Sequence, residues 1–407
     1  MRYPLLIALL ALSLHLSAQT TVGLLAYYPF DGDLTDVTGN SANTGIPSGS
    51  PSYLCGVDDT ALALNGSTDQ VNVIGPLLEE FNVEDFSVSF HFKSTGGNGT
   101  QYLLSKRRSD CAGDYAFYIR YRPSTRTINA VLIETPNKSV SLTHELPADR
   151  CWHHIALVRD DNRIKLYVNG RVVEEGITAG RIDIENDGEL IIGSSECRSA
   201  NETPFAGLID ELRFYNRTLR AEEVRGLYFE PDMIATPDTL IFLGNSVDMS
   251  LSETCGSTFS WSPAADVSDP LSPEPTITPS EPGEHTYTLA INDDVSACTA
   301  LDSISITVIN PDDLDCSQVF MAQAFTPNGD GLNDTYGISN PYAVQELVSF
   351  EIFDRWGGRV FATTDPFARW DGFFKGTELN PGVLLYKVIF RCEGEERVQT
   401  GSVTIMR

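Results

Sequence analysis

Hydrophobic and polar positions alternate with a period of two along most of the chain. Phe86-Ser-Val-Ser-Phe-His-Phe92 places large apolar side chains at every second position, the pattern of a strand buried on one face. Tyr115-Ala-Phe-Tyr-Ile-Arg-Tyr121 and Thr127 to Ile133 continue it. Arg163-Ile-Lys-Leu-Tyr-Val168 runs into Asn169-Gly170 and returns through Arg171-Val-Val173. Asn-Gly between two such runs predicts a tight hairpin, because both turn positions favour positive φ. Helical periodicity is confined to a short stretch near Leu219 to Leu227. Many short strands separated by polar turns predict an all-β chain of sandwiches.

One segment breaks the pattern. Met1-Arg2 is followed by an apolar run from Leu5 to Leu16 and by the small residues Ser17-Ala18. The run is too short to span a bilayer, so residues 1–18 are expected to be a removable secretory signal. No other apolar stretch reaches spanning length, and the mature chain is expected to carry no transmembrane span.

Charge divides the remainder. The chain has 56 acidic and 28 basic side chains, a formal net charge of −28. Residues 230–319 contain no lysine or arginine at all. A surface this acidic repels phosphate backbones and excludes nucleic acid as a partner. In an exported chain the eight cysteines read as disulfides, and no Cys-x-x-Cys pair points to zinc. Cys55, Cys111, Cys151 and Cys197 fall in the first region and allow three connectivities. Cys255 with Cys298, and Cys316 with Cys392, are the pairs expected if the later domains close on themselves.

Three stretches resemble known families. Tyr27-Tyr-Pro-Phe-Asp-Gly32, Cys151-Trp-His-His-Ile-Ala-Leu-Val-Arg-Asp160, Leu166-Tyr-Val-Asn-Gly170 and Gly207-Leu-Ile-Asp-Glu-Leu-Arg-Phe-Tyr215 are similar in kind and order to the laminin-G-like jelly roll of the concanavalin A-like lectin/glucanase superfamily. That resemblance covers residues 22–229. Residues 230–310, with Phe259-Ser-Trp-Ser-Pro263, Glu284 to Leu289 and Asp302 to Val308, resemble an immunoglobulin-like module related to polycystic-kidney-disease repeats, a type commonly used as a spacer. In residues 320–407, Phe325-Thr-Pro-Asn328, Asp354-Arg355-Trp356-Gly357, Trp370-Asp-Gly372 and Pro381-Gly-Val383 look like the C-terminal sorting domain of the gliding-motility-associated, type IX secretion family of Bacteroidota-type bacteria. This implies export across both membranes, to the cell surface or the medium, through the type IX secretion machinery. The motif residues expected to form the recognised surface are Asn328, Gly329, Asp330, Gly331, Asn333, Asp334, Arg355, Trp356 and Gly357.

Several constellations offer chemistry. Asp31, Asp33, Asp36 and Asn40 gather oxygen ligands in one early loop, as a hard cation requires. In the laminin-G-like family calcium is often held where the first loop meets the final strand, which adds Asp210 and implies a structural Ca2+; the alternative is an Asp/Asn-rich turn. Glu185-Asn-Asp187-Gly-Glu189 has the spacing of a retaining glucanase strand, but Asn186 and Gly188 stand where that strand needs apolar residues, so a polar hairpin is expected. His153 and His154 are adjacent, point to opposite faces of a strand and cannot chelate one metal together. Lys106-Arg107-Arg108 is the one basic run and a candidate contact for sulfated or uronic-acid glycans. Tyr115, Tyr118 and Tyr121 are aromatic residues able to stack on sugars.

The expected function is non-catalytic binding of a glycan or a surface protein by the jelly-roll head, with no catalytic residues. The alternatives are a secreted polysaccharide hydrolase built on the jelly roll, and a structural adhesin without a sugar ligand.

Overall fold

The computed structural model describes residues 21–328 and 332–406. The expected signal at residues 1–18 and the motif residues Gly329, Asp330 and Gly331 lie outside the described residues. The chain forms two compact units. The first takes in residues up to Asp238 with Val247–Thr278 and Thr286–Ser305; the second comprises Thr239–Ser246, Pro279–His285 and Ile306–Arg407.

The first unit is dominated by a jelly roll of two antiparallel sheets. One sheet runs in the order Arg171–Ile177, Arg163–Val168, Trp152–Asp160, Phe86–Ser94, Ala206–Tyr215, Thr60–Asn65, Ser52–Cys55, with Leu24–Tyr28 also paired to Ala206–Tyr215. The other runs Lys138–Glu145, Thr127–Thr135, Ala116–Arg122, Thr100–Lys106, Leu190–Ile192, Gln70–Val73, Ile46–Ser48. Phe90, Phe92, Leu104, Phe117, Ile119, Leu132, Ile155 and Leu157 meet between them in one core. Asn169 and Gly170 both take positive φ, 48° and 72°, and turn the predicted hairpin. Gly170 also lets the turn approach the short helix Ala221–Gly226: a Cβ there would sit 3.3 Å from the Arg225 Cα. That helix begins at Arg220, whose guanidinium has no acceptor to offer as a cap. Glu223 instead bonds back to the Arg220 N–H at 2.8 Å and is held by Arg217.

Alternation predicts Phe86–Ser94 to be wet on one face, yet both faces are buried. Ser87, Ser89, His91 and Lys93 point away from the core and are at most 3 % exposed. Tyr228 and Phe229 cover His91 and His154, while Leu219, Val224 and Leu227 pack on Ala156 and Val158. Farther along, Val295 of the immunoglobulin-like segment packs against a cluster containing Trp152 and Leu208. Beside it, Lys93 and Asp293 form a buried ion pair.

The disulfides correct two expectations: the four cysteines of the first region do not pair only among themselves, and the next two do not pair with each other. Cys255 and Cys298 do not pair with each other; Cys55 bonds Cys255 and Cys151 bonds Cys298. The reason is position. Val57 and Trp152 lie on the covered outer face of the jelly roll, against which the loop of residues 293–298 is packed, so each later cysteine meets a partner from the head before it can meet the other. Cys111–Cys197 closes within the jelly roll, and Cys316–Cys392 forms as expected. Within residues 230–310, Thr258–Ser262 pairs with the strand ending at Asn292, and Trp261 is buried with its indole N–H on the Ser272 carbonyl at 3.0 Å.

In the second unit a five-stranded sheet is ordered Ala324–Phe325, Glu395–Ile405, Gly382–Cys392, Glu346–Phe353, Arg359–Thr363. Phe325, Tyr336, Phe350 and Trp370 stack in its core. Tyr336 and Trp370 exchange backbone hydrogen bonds at 2.8 Å, and the Trp370 indole donates to the Phe373 carbonyl. No described helix is long and apolar enough to cross a membrane.

Candidate functional site

The expected metal ligands are each engaged in holding a loop. Asp36 is 2 % exposed; its Oδ1 accepts the N–H groups of Tyr27 and Thr38, and its Oδ2 the Asn43 amide. Asp33 accepts from Thr35 N, Asn40 from Ala42 N, and Asp31 from Thr60 N. Asp210 is fully buried and accepts three backbone N–H groups, from Val57, Asp58 and Glu211. Burial pushes its carboxyl up to about 8 despite those donors. A register shift in the last strand of the jelly roll, between Asp210 and Arg213, turns Glu211 to meet Tyr27 and Arg213. Among the described residues no three His, Cys, Asp or Glu side chains gather in an arrangement that could hold a metal ion.

The carboxylates of the glucanase-like run do not share a strand. Residues 178–189 are irregular, and the strand Leu190–Ile192 starts just after Glu189, so the expected hairpin is absent. Ile182 and Ile184 plug the core instead, which pulls this stretch out of the sheet edge. Asp187 caps Ser109, Glu189 binds the Asn72 amide at 2.6 Å, and Glu185 is exposed. Gly188 lies so close to the backbone that a Cβ would fall 1.6 Å from the Arg107 carbonyl oxygen. The glycine is there for close packing.

The basic run is occupied as well. Lys106 is buried and donates to the backbone and side-chain oxygens of Asn186, burial pushing it down to about 8. Arg107 donates to the Cys197 carbonyl, and Arg108 pairs with Asp110 and Asp114. None of the three is free for an outside anion. Of the tyrosines, Tyr121 is in the core, while Tyr118 faces outward under Arg120, whose guanidinium lies 4.7 Å from the ring centroid and pairs with Glu202.

His153 and His154 point to opposite faces. His153 packs on Phe92 inside the sandwich, and His154 lies beside His91 and Tyr228 outside it. Desolvation pushes His153 down to about 4 and His154 to about 3, so both are neutral at pH 7. Ser89 Oγ is 2.8 Å from His154 Nε2, a serine–imidazole contact of nucleophile–base type. Both groups are sealed from solvent, and His154 Nδ1 has no partner to orient the ring, so the pair is a packing contact.

The feature that the sequence patterns miss is a cleft at one end of the jelly roll. It is about 700 Å3 in volume and lies between the loop of residues 146–150, the Asn169-Gly170 turn, the short helix and Tyr228. Arg126, Arg150, Arg171 and Arg225 line it together with Glu145, Asp149 and Glu230. Arg126 is held by Glu145 at 2.6 Å, and Arg150 by the Leu301 carbonyl at 2.7 Å. A second cavity of about 220 Å3 shares Arg126 and Arg150 as a wall and is also lined by His153, whose Nδ1 has no partner. The residues of the larger cleft come from four separate stretches of chain, so no local motif announces them.

In the second unit, the sorting-motif residues build turns. Asn333 has φ 54° and accepts from Thr326 N, and Asp334 accepts from Asn328 N at 2.9 Å. Asp354 Oδ1 accepts the N–H groups of Trp356 and Gly358, both at 2.8 Å, with Gly357 at φ 82°. This raises Trp356, 85 % exposed, at the tip of a hairpin with Arg355 over its ring.

Comparison with known proteins agrees with the first and third resemblances. Residues 65–225 match the model of the concanavalin A-like lectin/glucanases superfamily, and residues 319–405 match the CHU_C type IX secretion signal domain. The jelly roll is a concanavalin A-like domain, and the C-terminal sheet carries the signal of an exported protein. No curated protein matches the chain. Among solved structures, domain 4 of AbnA, an extracellular GH43 arabinanase from Geobacillus stearothermophilus, is 22 % identical over 50 % of this chain and 98 % of its own, with a TM-score of 0.40. The CBM40 of the IT-sialidase from Ruminococcus gnavus is 19 % identical over 41 % of this chain and 96 % of its own, at 0.36. The binding domain of Paraclostridial Mosquitocidal Protein 1 is 14 % identical over 92 % of this chain and 88 % of its own, at 0.44.

Proposed function

We propose that this chain is a secreted or surface-displayed binding protein, exported through its C-terminal domain, whose jelly-roll head holds a carbohydrate or protein ligand without chemical turnover. The observation that carries the reading is the open cleft at the end of the head, a volume within the range of small-ligand sites. The glucanase-like carboxylates support it from the other side. Asp187 is tied to Ser109 and Glu189 to Asn72 of a neighbouring strand, away from the geometry of an acid and a nucleophile flanking one bond.

The test is binding of the exported chain to a panel of polysaccharides, in calcium and then in chelator, with reducing-sugar release followed in the same samples. Saturable binding with no release, unchanged in Glu185→Gln and Glu189→Gln variants, is the expected result. Release of reducing ends that disappears in either variant would establish the hydrolase instead. Dependence of binding on calcium would assign a metal to the head.

A further inference from the structure

We infer that the cleft bounded by Arg126, Arg150, Arg171, Arg225 and Tyr228 is a saccharide site, and that its ligand is an uncharged, hydroxyl-rich glycan. The inference rests on the reading of the head as a binding domain and adds the site and the ligand class.

The charges of the cleft decide the class. Four guanidiniums face three carboxylates, Glu145, Asp149 and Glu230, and His144 is matched with Glu174 at 3.3 Å. Arg126 is neutralised by Glu145, and Arg150 is paired with Asp302 at 3.4 Å. The guanidiniums of Arg171 and Arg225 are exposed and make no hydrogen bond or ion pair among the described residues. Asp149 and Glu230 line the same cleft, so its formal charges balance once Glu145 and Asp302 are set against Arg126 and Arg150. A site with donors and acceptors side by side and little net charge suits hydroxyl groups, which donate and accept at once. A polyanion would gain little locally and would face the field of a chain with net charge −28.

The shape favours a sugar over a protein surface. Protein partners need broad contacts of about 800 Å2 a side, whereas this site is a concave pocket. Tyr228 supplies an aromatic wall, its ring backed by His91 and His154 at centroid distances of 6.2 and 5.9 Å and so fixed in place. Pro147 and Met233 add apolar surface for the C–H faces of pyranose rings.

The test is affinity electrophoresis of the whole exported chain in gels containing laminarin, galactomannan or arabinan, with polygalacturonate and carrageenan as carboxylated and sulfated arms and polyglutamate as the peptide arm. At least one neutral polymer should retard the wild-type protein, with less than about twofold change in affinity between 50 and 500 mM salt, since no net counterion release accompanies binding. The double variant Arg171→Ala/Arg225→Ala removes two exposed, unbonded side chains and keeps the fold, which circular dichroism checks. It should bind at least tenfold more weakly, the loss of about one charge-assisted hydrogen bond. Retardation confined to the acidic arms, or left unchanged by the double variant, overturns the ligand class or the site and leaves the head a binding domain. Retardation by none of the polymers overturns the saccharide site and leaves the proposed function with its protein ligand alone.

Discussion

Removing Cys151–Cys298 by a Cys151→Ser/Cys298→Ser double substitution tests the covalent clamp between the jelly roll and the immunoglobulin-like segment. Cys151 and Cys298 are 147 residues apart, and Cys55 and Cys255 are 200 apart. With Cys55–Cys255 intact, the ring released by the substitution still holds about 140 residues, for which chain entropy gives about 5 kcal/mol at 25 °C. Measured losses on removing native bridges are smaller, about 2–5 kcal/mol, because the unfolded chain keeps structure and the native state relaxes. Native-state hydrogen exchange on the full chain reads the effect where it should appear. Leu289 and Ile291, buried in the strand beside Thr258–Ser262, should lose about 2–5 kcal/mol of opening free energy. Core amides of the jelly roll such as Leu157 should lose less. An unchanged opening free energy at Leu289, or a peptide map of the wild type showing Cys255 joined to Cys298, would refute the clamp.

Other perturbations probe the same body. Lys93→Met leaves Asp293 buried without its cation and should destabilise the head by about 3–5 kcal/mol in urea titration; a loss below about 1 kcal/mol would mean that the pair is solvated. The imidazoles of His153 and His154, pushed down to about 4 and about 3, stay neutral when the unfolded chain takes up protons below about 6.5. Stability contributed by each is therefore full above pH 6.5 and declines as pH falls below it, by about 2 kcal/mol per histidine at pH 5. Asp210, pushed up to about 8, works in the opposite direction, gaining stability as pH falls from 8 towards 4. A His154→Gln variant isolates the imidazole: its stability difference between pH 7 and pH 5 should be shifted by about 2 kcal/mol relative to wild type, and an identical profile would contradict the burial argument. Trp356→Ala should cut the exported fraction severalfold in the native host and leave the melting temperature within about 1 °C, since the ring is exposed on a turn. Equal export by the variant would remove Trp356 from the recognised surface.

Much of the fold was legible in short-range pattern, because strand alternation and the Asn169-Gly170 turn are local properties. The boundaries of Ala116–Arg122 and Thr127–Thr135 follow the alternation closely, and the α-helix Ala221–Gly226 lies where helical spacing appeared. What alternation could not show is what covers a sheet. Ser87, Ser89, His91 and Lys93 have the polarity of a wet face and are buried because residues 216–232 and the loop around Asp293 lie over them. The same tertiary fact misdirects the cysteine pairing, which was inferred from domain membership. Charge motifs failed for a related reason. Lys106-Arg107-Arg108 and Glu185 to Glu189 look reactive as strings, but Asn186, Cys197 and Asn72 reach them from other parts of the chain. Conversely, the cleft arginines are scattered from residue 126 to 225 and converge only on folding.

The two bridges to Cys255 and Cys298 place the limit of the foldable piece well beyond the limit of the similarity. The region that matches the concanavalin A-like model ends at residue 225, and a head produced alone to residue 229 would carry two orphan thiols, at Cys55 and Cys151. It would also expose Lys93, Trp152 and Leu208 to water on a face that the native chain keeps dry. In the growing chain the head cannot be locked until residue 298 has been made and has reached an oxidising compartment. Recombination that exchanged the jelly roll as a cassette would therefore have to carry the neighbouring cysteines with it.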